Sequence, residues 1–341
     1  MKEALLYTKG DNDEVRCALC AHRCRISSGS RGICGVRENR GGTLYSLVYE
    51  RCIAQNVDHV EKKPLFHFQP GSLSYSVATV GCNFKCSWCQ NCEISQFPRY
   101  QDVLPGKEVP AASMADYAAR YKCRNIAYTY TEPTVFFEYA LDAAKPAKEK
   151  GLANIFVTNG YMTPEMLDTF YPCLDAANVD MKGFREETYQ RYAGATLQPV
   201  LDSMKKMKEQ KIWLEVTTLV VPEVNDDPAE ARAMAEFMVN ELGPETPWHL
   251  SRFFPANHMR DLPPTPTDTL QRFRDIGYEA GIQYVYLGNT SAEMDTVCHQ
   301  CGEKLIQRSG FSGVSRGIAS DGTCSSCSTP IPGVDMGKKN S

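Results

Sequence analysis

The chain has 341 residues, of which 43% are hydrophobic and 23% charged, which suits a globular protein with one large core and appended segments. Its formal net charge of −4 and pI of about 5.9 exclude broad electrostatic attraction to nucleic acid or to a membrane surface. No apolar run reaches about 18 residues and the first residues lack a signal-peptide core, so we expect neither a membrane-spanning helix nor export. The 15 cysteines therefore predict a reducing, cytoplasmic compartment and metal binding rather than disulfides.

The first cysteine cluster lies in residues 1–72, which we expect to form an N-terminal cysteine-rich domain with a short sheet. It contains Cys17, Cys20, Cys24 and Cys34, and its first C-x2-C step is the spacing of a metal knuckle. The pattern predicts a four-thiolate site for zinc or for an auxiliary iron–sulfur cluster. A closed ligand set favours a structural role, in which the metal stabilises a segment too short to bury a core of its own.

The second cysteine cluster follows a short, β-prone apolar run that ends at Gly81. Cys82, Cys86 and Cys89 are spaced C-x3-C-x2-C, so that one loop can hold three irons of a [4Fe–4S] cluster and leave the fourth open. Zinc sites usually pair C-x2-C units, and this spacing fits them poorly. Trp88 adds a flat apolar wall beside the loop.

Residues 73–289 alternate between apolar strands and helices. The predicted strands are SYSVATVG, NIAYTYT, ANIFVTN, AANVDMK, KIWLEVTTLV and WHLSRFF, with QYVYLGN as a seventh candidate. The predicted helices lie near 112–122, 134–150, 164–172, 197–210, 229–241 and 268–280. Such alternation implies parallel strands with crossover helices and indicates an α/β fold, an incomplete (β/α)6 barrel. In barrels of this kind the chemistry lies at the carboxyl ends of the strands.

Polar residues follow the second, third and fourth of these strands, and we expect them to share one site. The second strand is followed by Glu132, which fits either a pocket carboxylate or an acid in the first turn of a helix. The third ends in Thr158 and Asn159. Asp180 and Lys182 lie on the same side of the fourth strand, as a pocket pair or as a surface ion pair.

His249 lies on the sixth strand and is either a site residue or a packed barrel histidine. The last region, 290–341, contains two C-x2-C knuckles and is predicted to be a zinc-ribbon or rubredoxin-like domain. Tetrahedral sulfur does not distinguish zinc from iron. The cysteines of these knuckles are Cys298, Cys301, Cys324 and Cys327.

The loop CNFKCSWCQN, with an aromatic residue before its last cysteine, resembles the cysteine loop of the radical S-adenosylmethionine (SAM) superfamily. The chain as a whole is similar to the radical SAM enzymes of the AmmeMemoRadiSam system, which are related to pyruvate formate-lyase activating enzymes. The other matching segments are CALCAHRCRI, GICGVREN, YTEPT, VTNGY, DMKGF and the C-terminal knuckles.

The resemblance implies a [4Fe–4S] cluster whose open iron binds SAM. It further implies reductive cleavage of SAM to a 5′-deoxyadenosyl radical, and hydrogen abstraction from a protein, a peptide or a small molecule. A flavodoxin or ferredoxin would supply the electron. The resemblance implies cofactor contacts from Trp88, Glu132, Thr158, Asn159, Asp180 and His249, and catalytic roles for Asp180, Lys182 and His249.

Two features depart from the family pattern. Tyr130 and Thr131 replace the glycines that precede Glu132 in a Gly-Gly-Glu-Pro-like segment. Cys92 stands where the resemblance leads us to expect an aromatic residue, commonly tryptophan. If Cys92 bound the fourth iron, SAM would be excluded, and the chain would be a non-catalytic electron-transfer or metal-stapled binding module.

Overall fold

The structure is a computed structural model that describes residues 1–291 and 293–338. The strands, in chain order, are β1 (Lys2–Glu3), β2 (Tyr7–Lys9), β3 (Val15–Cys17), β4 (Arg25–Ile26), β5 (Arg37–Arg40), β6 (Thr43–Ser46), β7 (Arg51–Cys52), β8 (Ala54–His59), β9 (Leu73–Ala78), β10 (Lys107–Glu108), β11 (Asn125–Tyr128), β12 (Ala153–Thr158), β13 (Ala176–Asp180), β14 (Trp213–Val220), β15 (Trp248–Arg252), β16 (Val285–Gly288), β17 (Thr296–Val297), β18 (Lys304–Ser309) and β19 (Ser312–Ser315).

The α-helices lie mainly between the strands of the central sheet. They are α1 (Cys92–Ser95), α2 (Met114–Arg120), α3 (Phe137–Glu149), α4 (Pro164–Phe170), α5 (Glu186–Thr188), α6 (Gln198–Glu209), α7 (Pro228–Phe237) and α8 (Thr267–Ala280). Side chains that cap the first turn set the starts of α4 and α7: Thr163 accepts a hydrogen bond from the amide of Met166, and Asp227 from that of Ala229. No helix in the described ranges is long and apolar enough to cross a membrane.

The central sheet has eight strands in the order β16-β15-β14-β13-β12-β11-β9-β8. Within this sheet, the seven strands from β16 to β9 pair in parallel, and helices cross between them. The predicted α/β partial barrel is therefore confirmed, and the seventh candidate strand is present as β16. The edge strand β8 is antiparallel to β9. Its residues lie within the segment 1–72 that the sequence assigns to the N-terminal domain. β8 instead belongs to the central sheet, because the chain continues from it through a connector directly into β9.

The connector between β8 and β9 packs on the barrel, and part of it covers the barrel interior below the carboxyl ends of the strands. The buried carboxylate of Glu215 accepts hydrogen bonds from the backbone amides of Phe66 (2.9 Å) and His67 (2.8 Å). The C-terminal domain, built on the antiparallel sheet β17-β18-β19, docks on this connector. Its Arg308 donates to the carbonyl of Phe66 at 2.8 Å.

Candidate active site

The carboxyl ends of the parallel strands surround a cavity of about 330 Å³, and most of the polar residues expected to gather there do so. The loop after β9, the turn after β11 and the ends of β12 and β13 all contribute to its walls. The predicted site residues that line it are Cys82, Cys86, Trp88, Cys89, Glu132, Thr158, Asn159, Asp180 and Lys182.

The cysteine loop begins at Gly81, where the backbone has a φ of +103°. A side chain here would place its Cβ 2.6 Å from Cγ1 of Val36 and 3.2 Å from the carbonyl oxygen of Cys34. Glycine therefore lets the loop pack closely against the N-terminal domain. Arg99 holds the next turn by donating to the carbonyl of Cys82 at 3.0 Å.

The three cysteines of this loop fit the thiolate face of a [4Fe–4S] cluster. Cys82, Cys86 and Cys89 line one cavity, yet they do not form a group of sulfurs within 4.8 Å of one another among the described residues. A single tetrahedral ion needs sulfurs about 3.8 Å apart, whereas a cubane cluster holds its cysteine sulfurs roughly 6 Å apart. Burial raises the pKa of Cys86 to about 12, so a bound metal is needed to stabilise its thiolate.

Glu132 connects the ends of two neighbouring strands. Its Oε1 accepts hydrogen bonds from the amide of Thr134 (3.0 Å) and from the hydroxyls of Thr134 (2.6 Å) and Thr158 (2.7 Å). Its Oε2 accepts one from the amide of Asn159 at 2.8 Å. Burial raises the pKa of Glu132, although these donors favour its charged form. Glu132 thus caps the turn before α3 and also faces the cavity. Both alternatives from the sequence, an acid in a first helical turn and a pocket carboxylate, therefore describe it.

Tyr130 keeps the backbone conformation that glycine would adopt most easily. Its φ is +64°, in the left-handed region that non-glycine residues rarely occupy. The carbonyl of Tyr130 accepts a hydrogen bond from Nδ2 of Asn91 in the cysteine loop at 2.8 Å. The hydroxyl of Tyr130 donates to Asp58 at 2.8 Å, and Thr131 donates to the carbonyl of Thr79 at 2.8 Å. These contacts stabilise a turn of glycine-like shape without glycine.

Asn159 links the third strand to the cysteine loop. Its Nδ2 donates to Oδ1 of Asn83 at 2.7 Å and lies 3.8 Å from the sulfur of Cys82. Amide donors near a cluster sulfur stabilise its negative charge. Asn159 therefore lies where it can contact both a bound cluster and a ligand in the cavity.

Asp180 and Lys182 form an ion pair inside the cavity wall. Nζ of Lys182 lies 2.7 Å from Oδ2 of Asp180, and the lysine side chain is only 14% exposed. Burial opposes the charge of Lys182, but Asp180 and Cys86 outweigh it and raise the pKa of the lysine. The pair is therefore a pocket feature and not a solvated surface bridge.

Comparison with known proteins identifies this arrangement. The model of the radical SAM superfamily matches residues 76–235, which contain the cysteine loop and most of the cavity walls. The chain belongs to the radical SAM superfamily. An uncharacterized protein of Methanocaldococcus jannaschii, MJ0808, is 44% identical to it over 310 residues, covering 90% of this chain and 92% of that protein.

More distant relatives extend this assignment. The putative glycyl-radical enzyme activating enzyme MJ1632 of Methanocaldococcus jannaschii is 24% identical, covering 68% of this chain and 85% of that protein. The radical SAM protein is therefore distantly related to activating enzymes. Its fold also resembles that of Streptococcus suis SuiB bound to S-adenosylmethionine, with a TM-score of 0.51 at 10% identity over 68% of this chain and 53% of that one.

His249 is not brought to the cavity of this radical SAM enzyme. Its Nε2 lies 2.7 Å from Oε2 of Glu215, and its ring stacks on Tyr286 with centroids 5.2 Å apart. Ser251, two residues further along β15, lines the cavity instead. Alternation places both residues on one side of the strand, but His249 lies deeper, where the connector covers it. The packed-histidine alternative therefore describes its position.

Two lysines at the cavity were missed by sequence reasoning. Lys62 and Lys63 line it, although they belong to a connector that the sequence marks only as polar. Nζ of Lys63 lies 2.8 Å from Asp58 and 4.8 Å from the ring centroid of Tyr130. Burial lowers the pKa of Lys63 in spite of Asp58. The only signal was the doubled lysine before Pro64, and its position depends on the long-range pairing of β8 with β9.

Cys92 lies outside the group of residues that line the cavity. It is the first residue of the short helix α1, and its carbonyl accepts a hydrogen bond from the amide of Gln96 at 2.9 Å. Asn91 and Ser95, on either side of Cys92 in the chain, do line the cavity. The structure thus brings three cysteines of the radical SAM loop to the cavity wall, whereas Cys92 is not among the lining residues.

The C-terminal knuckles form a compact four-cysteine site. The sulfurs of Cys298 and Cys327 are 3.7 Å apart, as are those of Cys301 and Cys324, and all four lie within 4.8 Å of one another. This spacing matches the roughly 3.8 Å expected around one tetrahedral ion with sulfur ligands.

The N-terminal cysteines line a second, smaller cavity next to the radical SAM loop. All four of them contribute to its wall, together with Arg37 and Val135. They are Cys17, Cys20, Cys24 and Cys34. His22, in the same segment, has Nε2 2.8 Å from the carbonyl oxygen of Asn83, which directly follows Cys82.

Proposed function

We propose that this radical SAM enzyme cleaves SAM reductively, generates a 5′-deoxyadenosyl radical and uses it to abstract hydrogen from a substrate. The observation that carries the proposal is the convergence of Cys82, Cys86 and Cys89 with the polar ends of three strands on one cavity. Its volume of about 330 Å³ lies within the range of small-molecule sites. When bound, the cluster supplies the electron and an open iron for the amino and carboxylate groups of SAM.

The chain's own residues position the cofactor. Oε2 of Glu132 accepts one described hydrogen bond and has a lone pair left for the ammonium of SAM. Asn159 and Thr158 hold that carboxylate and border the same space. Trp88 is buried against the cavity, where its apolar ring excludes water from the reacting centre.

The pair formed by Asp180 and Lys182 is assigned to the adenosyl part of SAM and to the substrate. The carboxylate of Asp180 is 34% exposed and can accept hydrogen bonds from ribose hydroxyls. Lys182 neutralises it and is buried enough to fix its orientation. A substrate placed beside this pair would meet the radical where it forms.

The relation to activating enzymes supports a protein or peptide as hydrogen donor. The named relative MJ1632 is a putative glycyl-radical enzyme activating enzyme and aligns over 68% of this chain. The similarity of motifs to the AmmeMemoRadiSam system points to the same group. A flavodoxin or ferredoxin would supply one electron per cleavage, and the cytoplasmic location expected from the cysteine content stays a prediction.

A structural ion, zinc by preference, is proposed for the C-terminal site. The 3.7 Å sulfur separations suit a metal–sulfur distance of about 2.3 Å. Closed coordination by four cysteines leaves no position for a reactant. The catalytic proposal therefore rests on the barrel cavity alone.

Equilibrium binding of labelled SAM to anaerobically reconstituted protein tests the cofactor assignment. Wild type and Cys92→Ala should bind about one SAM per chain, because Cys92 lies outside the cavity. The Cys82→Ala/Cys86→Ala/Cys89→Ala variant should bind at least tenfold more weakly, since the chelating iron is lost. Cys173→Ala is the matched control. Equal binding by the triple variant would contradict the assignment, and tighter binding by Cys92→Ala would make Cys92 the fourth ligand.

A further inference from the structure

The N-terminal cysteines come from the end of one strand and from three positions in the segments that follow it. Cys17 ends β3, Cys24 precedes β4, and Cys34 lies in the turn before β5, with Cys20 between the first two. They line one cavity, together with His22 and Arg37. Four thiols around one buried space are a donor set that suits a metal site.

The sulfur spacing separates this site from the C-terminal one. Among the described residues, only the C-terminal cysteines form a group of three or more ligand atoms within 4.8 Å of one another. A single tetrahedral ion needs sulfurs about 3.8 Å apart. No three of the N-terminal thiols form such a group, which fits several metal atoms between them better than one ion.

Arg37 brings to this space a buried hydrogen-bond donor that has no partner among the described residues. The guanidinium is 1% exposed and lines the cavity. Its Nη1 donates to both oxygens of Glu138 (2.9 and 3.1 Å), and its Nη2 donates to the carbonyl of Leu5 at 2.7 Å. Its Nε is buried without a hydrogen-bond partner in the described part of the chain. A buried N–H without an acceptor destabilises the fold, so this position favours a ligand that accepts a hydrogen bond from it.

We propose that Cys17, Cys20, Cys24 and Cys34 hold a second [4Fe–4S] cluster. Four thiolates complete its coordination, so it has no open iron, unlike the cluster at the barrel cavity. Nε of Arg37 donates to one of its sulfurs and offsets its negative charge. The site lies beside the catalytic loop, to which it is joined by the hydrogen bond between His22 and the carbonyl of Asn83.

Metal and sulfide analysis of the Cys82→Ala/Cys86→Ala/Cys89→Ala variant tests the proposal without any SAM chemistry. After anaerobic reconstitution with iron and sulfide, the variant should retain about four iron atoms and four acid-labile sulfides per chain, with a [4Fe–4S] Mössbauer signature. An iron atom bound by the C-terminal knuckles would bring no acid-labile sulfide. The sulfide content therefore measures the N-terminal cluster alone. Zinc without labile sulfide would overturn the proposal.

A second variant locates the retained cluster. Adding Cys17→Ser and Cys20→Ser to the triple variant should remove the iron and the sulfide, whereas adding Cys173→Ser should leave both unchanged. Sulfide that survives the first change would contradict the ligand assignment. If the Cys17→Ser/Cys20→Ser protein does not fold, the sulfide content and Mössbauer spectrum of the triple variant still decide the result.

Discussion

The N-terminal and C-terminal four-cysteine sites have the same donor set but different geometry. At the C-terminus, two knuckles bring all four sulfurs within 4.8 Å, and Cys301 and Cys327 remain exposed. At the N-terminus, the cysteines are buried or half-buried and surround a cavity that a charged Arg37 borders. The folded segments that carry the cysteines, and not the number of cysteines, therefore set the distances between the sulfurs.

The two sites also differ in what they stabilise. The C-terminal site holds together a domain with a very small apolar core, of which Leu305 and Ile306 are fully buried members. The N-terminal site belongs to the main core of the molecule and packs on the catalytic loop. Loss of metal from the C-terminal site should therefore affect the C-terminal domain alone. Loss of metal from the N-terminal site should affect the catalytic region.

The largest effect is expected from Cys298→Ser/Cys324→Ser. Structural zinc sites contribute about 10 kcal/mol or more to folding, so the C-terminal domain should lose its ion and unfold. Limited proteolysis and metal analysis measure the change. Ser326→Ala, in the same knuckle, should leave the ion in place. Cleavage within residues 296–338 by the double variant but not by the control is the expected result; equal protease resistance would show that the ion is not structural.

A smaller effect is expected from Arg37→Met at the N-terminal site. The change leaves the carboxylate of Glu138 buried without its charged partner, which typically costs about 3–5 kcal/mol. Chemical denaturation should show this loss, and the N-terminal iron content should fall while the C-terminal ion stays bound. Arg37→Met/Glu138→Met is the control and should recover most of the stability. A single variant as stable as wild type would show that Arg37 does not balance charge there.

The smallest of the three effects is expected from Gly81→Ala. The new methyl group would meet Val36 at 2.6 Å, so either the loop or the N-terminal domain must shift. We expect a loss of about 1–3 kcal/mol, as for overpacking in a core, together with weaker SAM binding. Gly29→Ala has a similar φ of +79° but no atom within 4 Å, so it isolates the backbone cost. Equal effects of the two changes would mean that the contact with Val36 is unimportant.

Local patterns were sufficient to predict the barrel and the cysteine loop. Apolar strands that alternate with helices specify parallel pairing, and the C-x3-C-x2-C spacing places three thiols on one loop. Asp180 and Lys182 could be paired because residues two apart share one side of a strand. These features depend on neighbours in sequence, so they are visible without a structure.

Features that depend on long-range contacts were not predictable. Lys63 reaches the cavity because β8 joins the sheet beside β9, and nothing in the connector indicates that pairing. Tyr130 adopts a left-handed conformation that distant groups stabilise, Asp58 among them. The sequence left two positions open for His249, because alternation gives the side of a strand but not the height at which a connector covers it. The distances between the sulfurs of the terminal sites likewise depend on the folded chain and could not be predicted from the spacing of the cysteines.

The most direct test of the central claim is the yield of 5′-deoxyadenosine from anaerobic, reconstituted protein incubated with dithionite and SAM. Wild type, Cys92→Ala and Cys173→Ala should form the product. The Cys82→Ala/Cys86→Ala/Cys89→Ala variant should form none above the buffer blank, although it retains the N-terminal cluster. Absence of product from a wild type with a full, reducible cluster, or equal yields from wild type and the triple variant, would contradict the assignment of radical SAM chemistry to this cavity.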